Sequence, residues 1–281
     1  MTLVPTGDLV AAAVRRNGAV AAVNVITLEH AEAICTAATT AGVPVILQIS
    51  QNAVRFHGGR PKPIAAAAAA LARLAAVPVA LHFDHVTADE LVTEAAAAGF
   101  SSVMYDAGAL PYDENVERTA HAAFTAHHSG LWVEAELGYV GGKAGAPLSA
   151  HAAGVRTDPD EAADYVARTG VDGLAVAVGS AHAMTTRSAT LDIDLVARLR
   201  ARLDVPLVLH GSSGVPDEQL RAAAAAGISK INVGTALNIA MTHSIRDFLA
   251  EDARVVDPRE YLAPARQAMA AEVGHLLSVL P

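Results

Sequence analysis

The stretch Val77–His85, VPVALHFDH, alternates apolar residues and ends on an Asp-His pair. A buried strand normally stops at a turn residue. A carboxylate and an imidazole at that position point instead to proton transfer or metal ligation. The plainer alternative has Asp84 capping the next helix, over Thr87–Ala98, with His85 on the surface. Two more histidines, His182 and His210, also stand at the ends of apolar runs. Neutral imidazoles on three neighbouring strand ends can converge on one divalent ion and leave a coordination position open. The competing reading is three unrelated histidines that happen to end strands. Most other histidines fall on expected helices, and His57 and His151 lie in loops. His82 lies one pleat deeper than Asp84, where it is expected to fill the core or support a ligand.

These residues need a frame that brings strand ends together. A strand-plus-helix unit recurs eight times: strands are expected at about 21–25, 43–48, 77–85, 102–105, 131–137, 173–178, 206–210 and 230–233. The helices between them are expected at 27–41, after a polar loop at 50–63, and at 87–98, 113–128, 159–169, 191–202, 216–226 and 236–251. That alternation argues for an α/β fold, a parallel (β/α)8 TIM barrel in one domain over residues 1–281, with an additional C-terminal helix at 258–280. Every strand then delivers a polar group to one rim: Asn24, Ser50, Asp84 with His85, Asp106, Glu134 with Glu136, His182, His210 and Asn232. In such barrels that rim is the active-site face. Two small-residue loops follow the seventh and eighth strands, Gly211-Ser212-Ser213-Gly214 and Gly234-Thr235. Their backbone N–H groups, with a helix N-terminus behind each, suit a phosphate.

Composition narrows the function further. The 281 residues are 52% hydrophobic, enough for one large core, and the net charge of −9 gives no support for nucleic-acid binding. One cysteine, Cys35, excludes an intramolecular disulfide framework and suits a reducing, cytoplasmic location. The N-terminus lacks the pattern of a signal peptide. The most membrane-like segment, Pro63–Leu81, carries Arg73 and Pro78 and reads as an outer helix followed by a buried strand, so no membrane association is expected.

The motifs together resemble class II, zinc-dependent ketose-bisphosphate aldolases, the group of fructose- and tagatose-bisphosphate aldolases. The matching stretches are LHFDH at Leu81–His85, VEAELG at Val133–Gly138, GSAHA at Gly179–Ala183, VLHGSSG at Val208–Gly214, KINVGT at Lys230–Thr235 and DPREYL at Asp257–Leu262. The resemblance implies one catalytic Zn2+ per subunit held by His85, His182 and His210, with Glu136 as a carboxylate that takes alternative positions near it. It implies Asp84 as the acid/base group at the C4 hydroxyl, and allows a monovalent cation nearby. Gly211, Ser213, Asn232, Gly234 and Thr235 would hold the dihydroxyacetone-phosphate end, with Asn24 and Ser50 as further substrate contacts on the rim. Arg259 matches a basic residue that can reach the far phosphate, from a neighbouring subunit in some members, so a homodimer or homotetramer is expected.

The chain also departs from the family pattern. The loop after the fifth strand, Gly138–Gly154, has Gly141-Gly142-Lys143-Ala144-Gly145 where relatives carry a Glu that exchanges the enediolate proton. His151 is the only group in that loop titrating near neutrality and is the candidate substitute base. The family's His-Gly is His182-Ala183, its nearby phosphate-binding Lys corresponds to Thr186 with Arg187 adjacent, and its Ser-His-Leu-Pro is Gly108-Ala109-Leu110-Pro111. The expected activity is reversible cleavage of a ketose (bis)phosphate to dihydroxyacetone phosphate and an aldehyde such as glyceraldehyde 3-phosphate. Two alternatives stay open: a metal-dependent sugar epimerase or isomerase, and a non-catalytic sugar-phosphate-binding subunit. A Schiff-base aldolase is disfavoured, because of Lys62, Lys143 and Lys230 only the last lies in a barrel strand, toward its start.

Overall fold

The computed structural model describes residues 2–138 and 156–280. Among them, eight parallel strands pair in sequence order and close on themselves: β1 (Val20–Asn24), β2 (Val45–Ser50), β3 (Val79–Val86), β4 (Ser102–Tyr105), β5 (Trp132–Leu137), β6 (Gly173–Val176), β7 (Leu207–Leu209) and β8 (Ile228–Val233). The last joint pairs Val20 with Lys230 and Ala22 with Asn232. The expected (β/α)8 barrel is therefore present, with strand ends shifted by no more than two residues from the sequence reading.

The first helix, α1 (Thr6–Arg15), was not expected. Its Leu9, Val10 and Ala13 pack on Val20, Ala22, Ile46 and Ala80, the inward-facing residues at the lower end of the barrel. It thus plugs the end opposite the rim. The outer layer consists of α2 (Leu28–Ala41), α4 (Pro61–Leu74), α5 (Asp89–Ala98), α6 (Tyr112–His128), α7 (Pro159–Thr169), α8 (Ile193–Arg202), α9 (Asp217–Ala226) and α10 (Thr235–Glu251). A short helix, α3 (Gln51–Phe56), occupies part of the segment expected as a polar loop. The final helix, α11 (Pro258–Val279), packs across α10 and α2 outside the barrel.

Local chemistry explains these boundaries. Thr27 and His30 form a reciprocal capping box at the start of α2, and Gly42, at φ +67°, ends it. Asp158 caps α7 ahead of Pro159, and Asp192 caps α8. On α4 the alanine run buries Ala65, Ala68, Ala69 and Ala72, small side chains that let the helix lie close to the sheet.

The strand period of two then divides the barrel. Outward residues such as Val23, Leu47, Leu81 and Phe83 build the main apolar core beneath the helices. Inward residues change along the barrel axis from Ala and Ile near α1 to Gln48, His82, Glu134, Lys230 and Asn232, all buried, toward the rim. The barrel interior is therefore apolar at one end and ionic at the other. Among the described residues, no helix is long and apolar enough to cross a membrane.

Candidate active site and metal centre

Asp84 and His85 are consecutive in β3, so a regular strand would send them to opposite faces. The pairing of β3 with β4 shifts register between Phe83 and Val86, and His85 takes φ +48°, in the left-handed region. This bulge turns His85 back toward the barrel mouth, so both side chains line the same cleft. The alternative of Asp84 as a helix cap fails: α5 starts after Ala88 and has no side-chain cap, and Asp84 is buried.

His85, His182 and His210 converge above the ionic layer, with ring centroids 5.1–5.8 Å apart. Together with Glu136 they place four donor atoms within 4.8 Å of one another. Asp106 Oδ2 lies 2.7 Å from His85 Nδ1, a contact that fixes the ring's orientation. His210 is held from both sides, Nδ1 at 2.6 Å from Glu136 Oε2 and Nε2 at 2.8 Å from Glu134 Oε1. His182 Nε2, shielded from solvent, meets Glu136 Oε2 at 3.9 Å, beyond hydrogen-bond reach. A shared divalent ion would satisfy that nitrogen, and the surrounding carboxylates favour a cation. The donor set, three imidazoles and a carboxylate, suits Zn2+.

Beneath the cluster, Lys230 Nζ is 2.8 Å from Glu134 Oε2 and 2.8 Å from Asn232 Oδ1, all within the barrel. Burial would raise Glu134, but the Lys230 ammonium outweighs it and holds the carboxyl well below the usual range. Glu134 therefore stays ionised and fixes His210. Burial disfavours charge on His210, yet the hydrogen bonds to Glu134 and Glu136 push its pKa up to about 9. To hold an ion, His210 would give up the proton it shares with Glu136 and keep the one facing Glu134. Asp84 is lowered: its desolvation is offset first by His85, then by His210, His82 and Lys230. It is ready to accept a proton at neutral pH.

His82 sits one pleat down with no exposed surface. Ser101 donates to the Leu81 carbonyl, and Ser102 donates to Thr6 Oγ1. Ser102 Oγ must then accept from His82 Nδ1, 2.7 Å away, which fixes the proton on that nitrogen. His82 is a buried supporting histidine and not a ligand.

A cleft of about 720 Å³ covers this rim. Asn24, Ser50, Asp84, His85, His182, Gly211, Ser213, Asn232, Gly234 and Thr235, all expected at the site, line it. His210 and Glu136 lie just below. Gly211 has φ +67°, and a Cβ there would lie 2.6 Å from the Ala181 carbonyl, so only glycine fits the turn after β7. Ser213 Oγ accepts from the Ala236 N–H at 3.1 Å and ties this turn to the start of α10. One expected residue among those described is not brought to the site. Arg259 is 89% exposed, paired with Asp257 at 2.6 Å, and does not line this protomer's cleft. His151 and Lys143 lie outside the described residues. Residues the sequence reading passed over also line the cleft, among them Gln51, Asn52, Arg55 and Thr87 from α3 and the β3–α5 turn.

The model of the class-II fructose-bisphosphate aldolase family matches residues 4–281. The chain belongs to the class II fructose-bisphosphate aldolase family. It is 39% identical to a fructose-bisphosphate aldolase of Geobacillus stearothermophilus over 274 residues, 97% of this chain and 95% of the relative. A probable fructose-bisphosphate aldolase of Bacillus subtilis (strain 168) is 37% identical over 96% of this chain and 94% of its own length. Among solved structures, the YdjI aldolase from Escherichia coli K12 superposes with a TM-score of 0.85 at 31% identity, covering 99% of this chain and 97% of that one. As a class II aldolase the protein is a metal-dependent lyase acting on a ketose bisphosphate. This membership decides against the epimerase or isomerase alternative. The His/Glu cluster of the aldolase is its catalytic divalent-cation site.

Proposed function

We propose that the chain cleaves a ketose 1,6-bisphosphate reversibly into dihydroxyacetone phosphate and glyceraldehyde 3-phosphate. The observation that carries this reading is the convergence of three imidazoles beside an ionised Asp84, at one end of a cleft with an anion cradle. His85, His182 and His210 would hold the zinc, with Glu136 able to approach or withdraw. Zinc, when bound there, supplies a Lewis acid for the ketose oxygens.

The C1 phosphate is held by backbone N–H groups of the Gly211–Gly214 turn and by the N-terminus of α10 at Gly234-Thr235. Asn232 accepts from Lys230 through Oδ1, so its Nδ2, which has no partner among the described residues, points a donor at the substrate. Asp84 takes the proton of the C4 hydroxyl as the C3–C4 bond breaks. The bond pair passes to the C2–C3 enediolate, and the aldehyde departs. The enediolate carbon then needs a proton, and His151 is the proposed donor from the β5–α7 loop.

The chain would act as one barrel domain in a homodimer or homotetramer. In α10 only Leu237 is buried, a face that assembly would cover, and Arg259 could serve a neighbour's cleft. The test is condensation of dihydroxyacetone phosphate with a panel of aldehydes, with and without added zinc. A six-carbon bisphosphate formed only with zinc supports the reading. Binding of dihydroxyacetone phosphate without any carbon–carbon bond formation contradicts it.

A further inference from the structure

Two of the four donors in the metal centre belong to neighbouring strands: Glu136 lies in β5, and His182 follows β6. Those strands stop pairing before His182 is reached. Their last paired residues are Leu137, directly after Glu136, and Val176, well short of His182. Strands that separate leave the next carbonyl and N–H without a ladder partner, and such groups are costly when buried. Leu137 and Ala177 are both buried, so another group must pair them.

Thr157 does so. It stands just ahead of α7 and is itself buried. Its N–H donates to the Ala177 carbonyl at 3.1 Å. Its hydroxyl donates to the Leu137 carbonyl at 2.6 Å and accepts from the Ala177 N–H at 2.8 Å. One oxygen thus bridges β5 and β6 where their own hydrogen bonds have ended.

The fit around that oxygen is close. Gly138 takes φ +90°, and a Cβ there would lie 2.7 Å from Thr157 Oγ1 and 2.9 Å from the Ala177 Cβ, so glycine lets the hydroxyl reach both strands. Arg156 extends the brace. A Cβ on Gly179, at φ +127°, would lie 2.6 Å from Arg156 Nη1, so the guanidinium rests on the backbone shortly before His182. On its other flank the same loop is tied to the turn after β7, where the Ala189 N–H donates to the Gly214 carbonyl at 2.9 Å, and to α9 through Arg187 and Asp217.

We propose that Thr157 is a positioning residue for the metal centre: its hydroxyl sets the spacing of the β5 and β6 ends, and with it the separation of Glu136 and His182. It does so through the backbone of Leu137 and Ala177 and is no ligand itself. Without the hydroxyl those two groups lose their partner, and the strand ends shift to find another. His182 Nε2 and Glu136 Oε2, 3.9 Å apart, then leave the spacing that one small ion can bridge. The proposal rests on the metal-dependent aldolase reading above, and its readouts are separate from turnover.

The test measures zinc affinity by competition with a chromophoric chelator, below the melting temperature, for wild type, Thr157→Val, Thr157→Ser and Thr169→Val. Thr157→Val keeps the side-chain shape and should bind zinc about 10–100-fold more weakly, the scale for groups that orient metal ligands. Thr157→Ser can form the same two hydrogen bonds and should stay within about threefold of wild type. Thr169→Val removes another buried hydroxyl, which donates to the Tyr165 carbonyl within α7, and should lower the melting temperature without moving zinc affinity. Cobalt(II) in place of zinc gives a second readout, because its visible absorption follows ligand geometry and not global stability. The band should change in Thr157→Val and match wild type in Thr157→Ser and Thr169→Val.

If Thr157→Val does not fold, Thr157→Ala takes its place. It leaves room for a water to pair both backbone groups, but a water does not fix their spacing, so the same loss is expected. Wild-type zinc affinity or an unaltered cobalt band in the folded variant overturns the proposal. So does a loss in Thr157→Ser or Thr169→Val as large as that in Thr157→Val. Wild type that holds no zinc removes the metal-centre reading and this one together. Wild type that holds zinc yet condenses no aldehyde removes the aldolase reading alone, and the zinc comparison still decides Thr157.

Discussion

Replacing Lys230 with Met probes the layer beneath the metal centre. The methionine keeps roughly the volume but removes the cation 2.8 Å from Glu134 Oε2, and both partners have no exposed surface. Glu134 is left as a buried carboxylate with only the imidazoles of His210 and His82 beside it among the described residues. Breaking a buried pair from one side costs about 3–5 kcal/mol. At roughly 2–4 °C per kcal/mol for a chain near this size, the melting temperature should fall by about 6–20 °C. The assay is thermal unfolding of chelated protein at pH 7.5, followed by circular dichroism. The double variant Lys230→Met/Glu134→Gln removes the charge as well as its partner and should recover a good part of the loss, because an absent pair costs less than a broken one. Wild-type melting in Lys230→Met, or a double variant that loses the sum of the two single losses, would refute the argument that the ion pair holds Glu134 charged.

Asp84→Ala should lower turnover by about 10²–10⁴-fold while keeping its zinc, as expected for a proton-transfer group outside the ligand set; turnover and metal content measured on one preparation decide this. Acid should weaken the metal-free fold before any carboxylate titrates. Burial pushes His82 down to about 3, with Lys230 adding to it, while in the unfolded chain it titrates near the usual ~6.5. The unfolded state binds the extra proton between these values, so stability is present above ~6.5 and is lost as pH falls, by up to ~1.4 kcal/mol per unit. Urea unfolding at pH 7 and 5 should show that loss, and His82→Asn should flatten it; a slope unchanged in His82→Asn would count against the argument. His151→Ala should slow exchange of the pro-chiral proton of dihydroxyacetone phosphate with deuterated solvent, and exchange at the wild-type rate would remove His151 from the mechanism.

Much of this site could be read from the sequence because a barrel converts strand order into a ring. Once apolar runs marked eight strands, His85, His182 and His210 had to share one rim, whatever their separation along the chain. What escaped notice depends on geometry that has no local signal. The α1 plug has no side-chain cap, and its contacts are made only when the barrel forms. Helix α3 spans six residues, too few to show a period, so Arg55 was hidden in an apparent loop. The bulge at His85 lets two adjacent residues face one cleft, which a strand pattern alone forbids. The Lys230–Glu134 pair joins β8 to β5 across the barrel interior, a contact that alternation places on the right face but cannot pair. Arg259 lies on the surface with Asp257, so a role toward a neighbouring subunit's cleft cannot be read from one protomer.

The most direct test of the central claim is cleavage of fructose 1,6-bisphosphate by one preparation, assayed as purified, after exhaustive chelation, and after stoichiometric zinc is restored, with metal counted at each stage. The three-histidine centre predicts that triose phosphate release disappears with the metal and returns as zinc approaches one ion per chain. Undiminished cleavage by protein stripped of metal would contradict it.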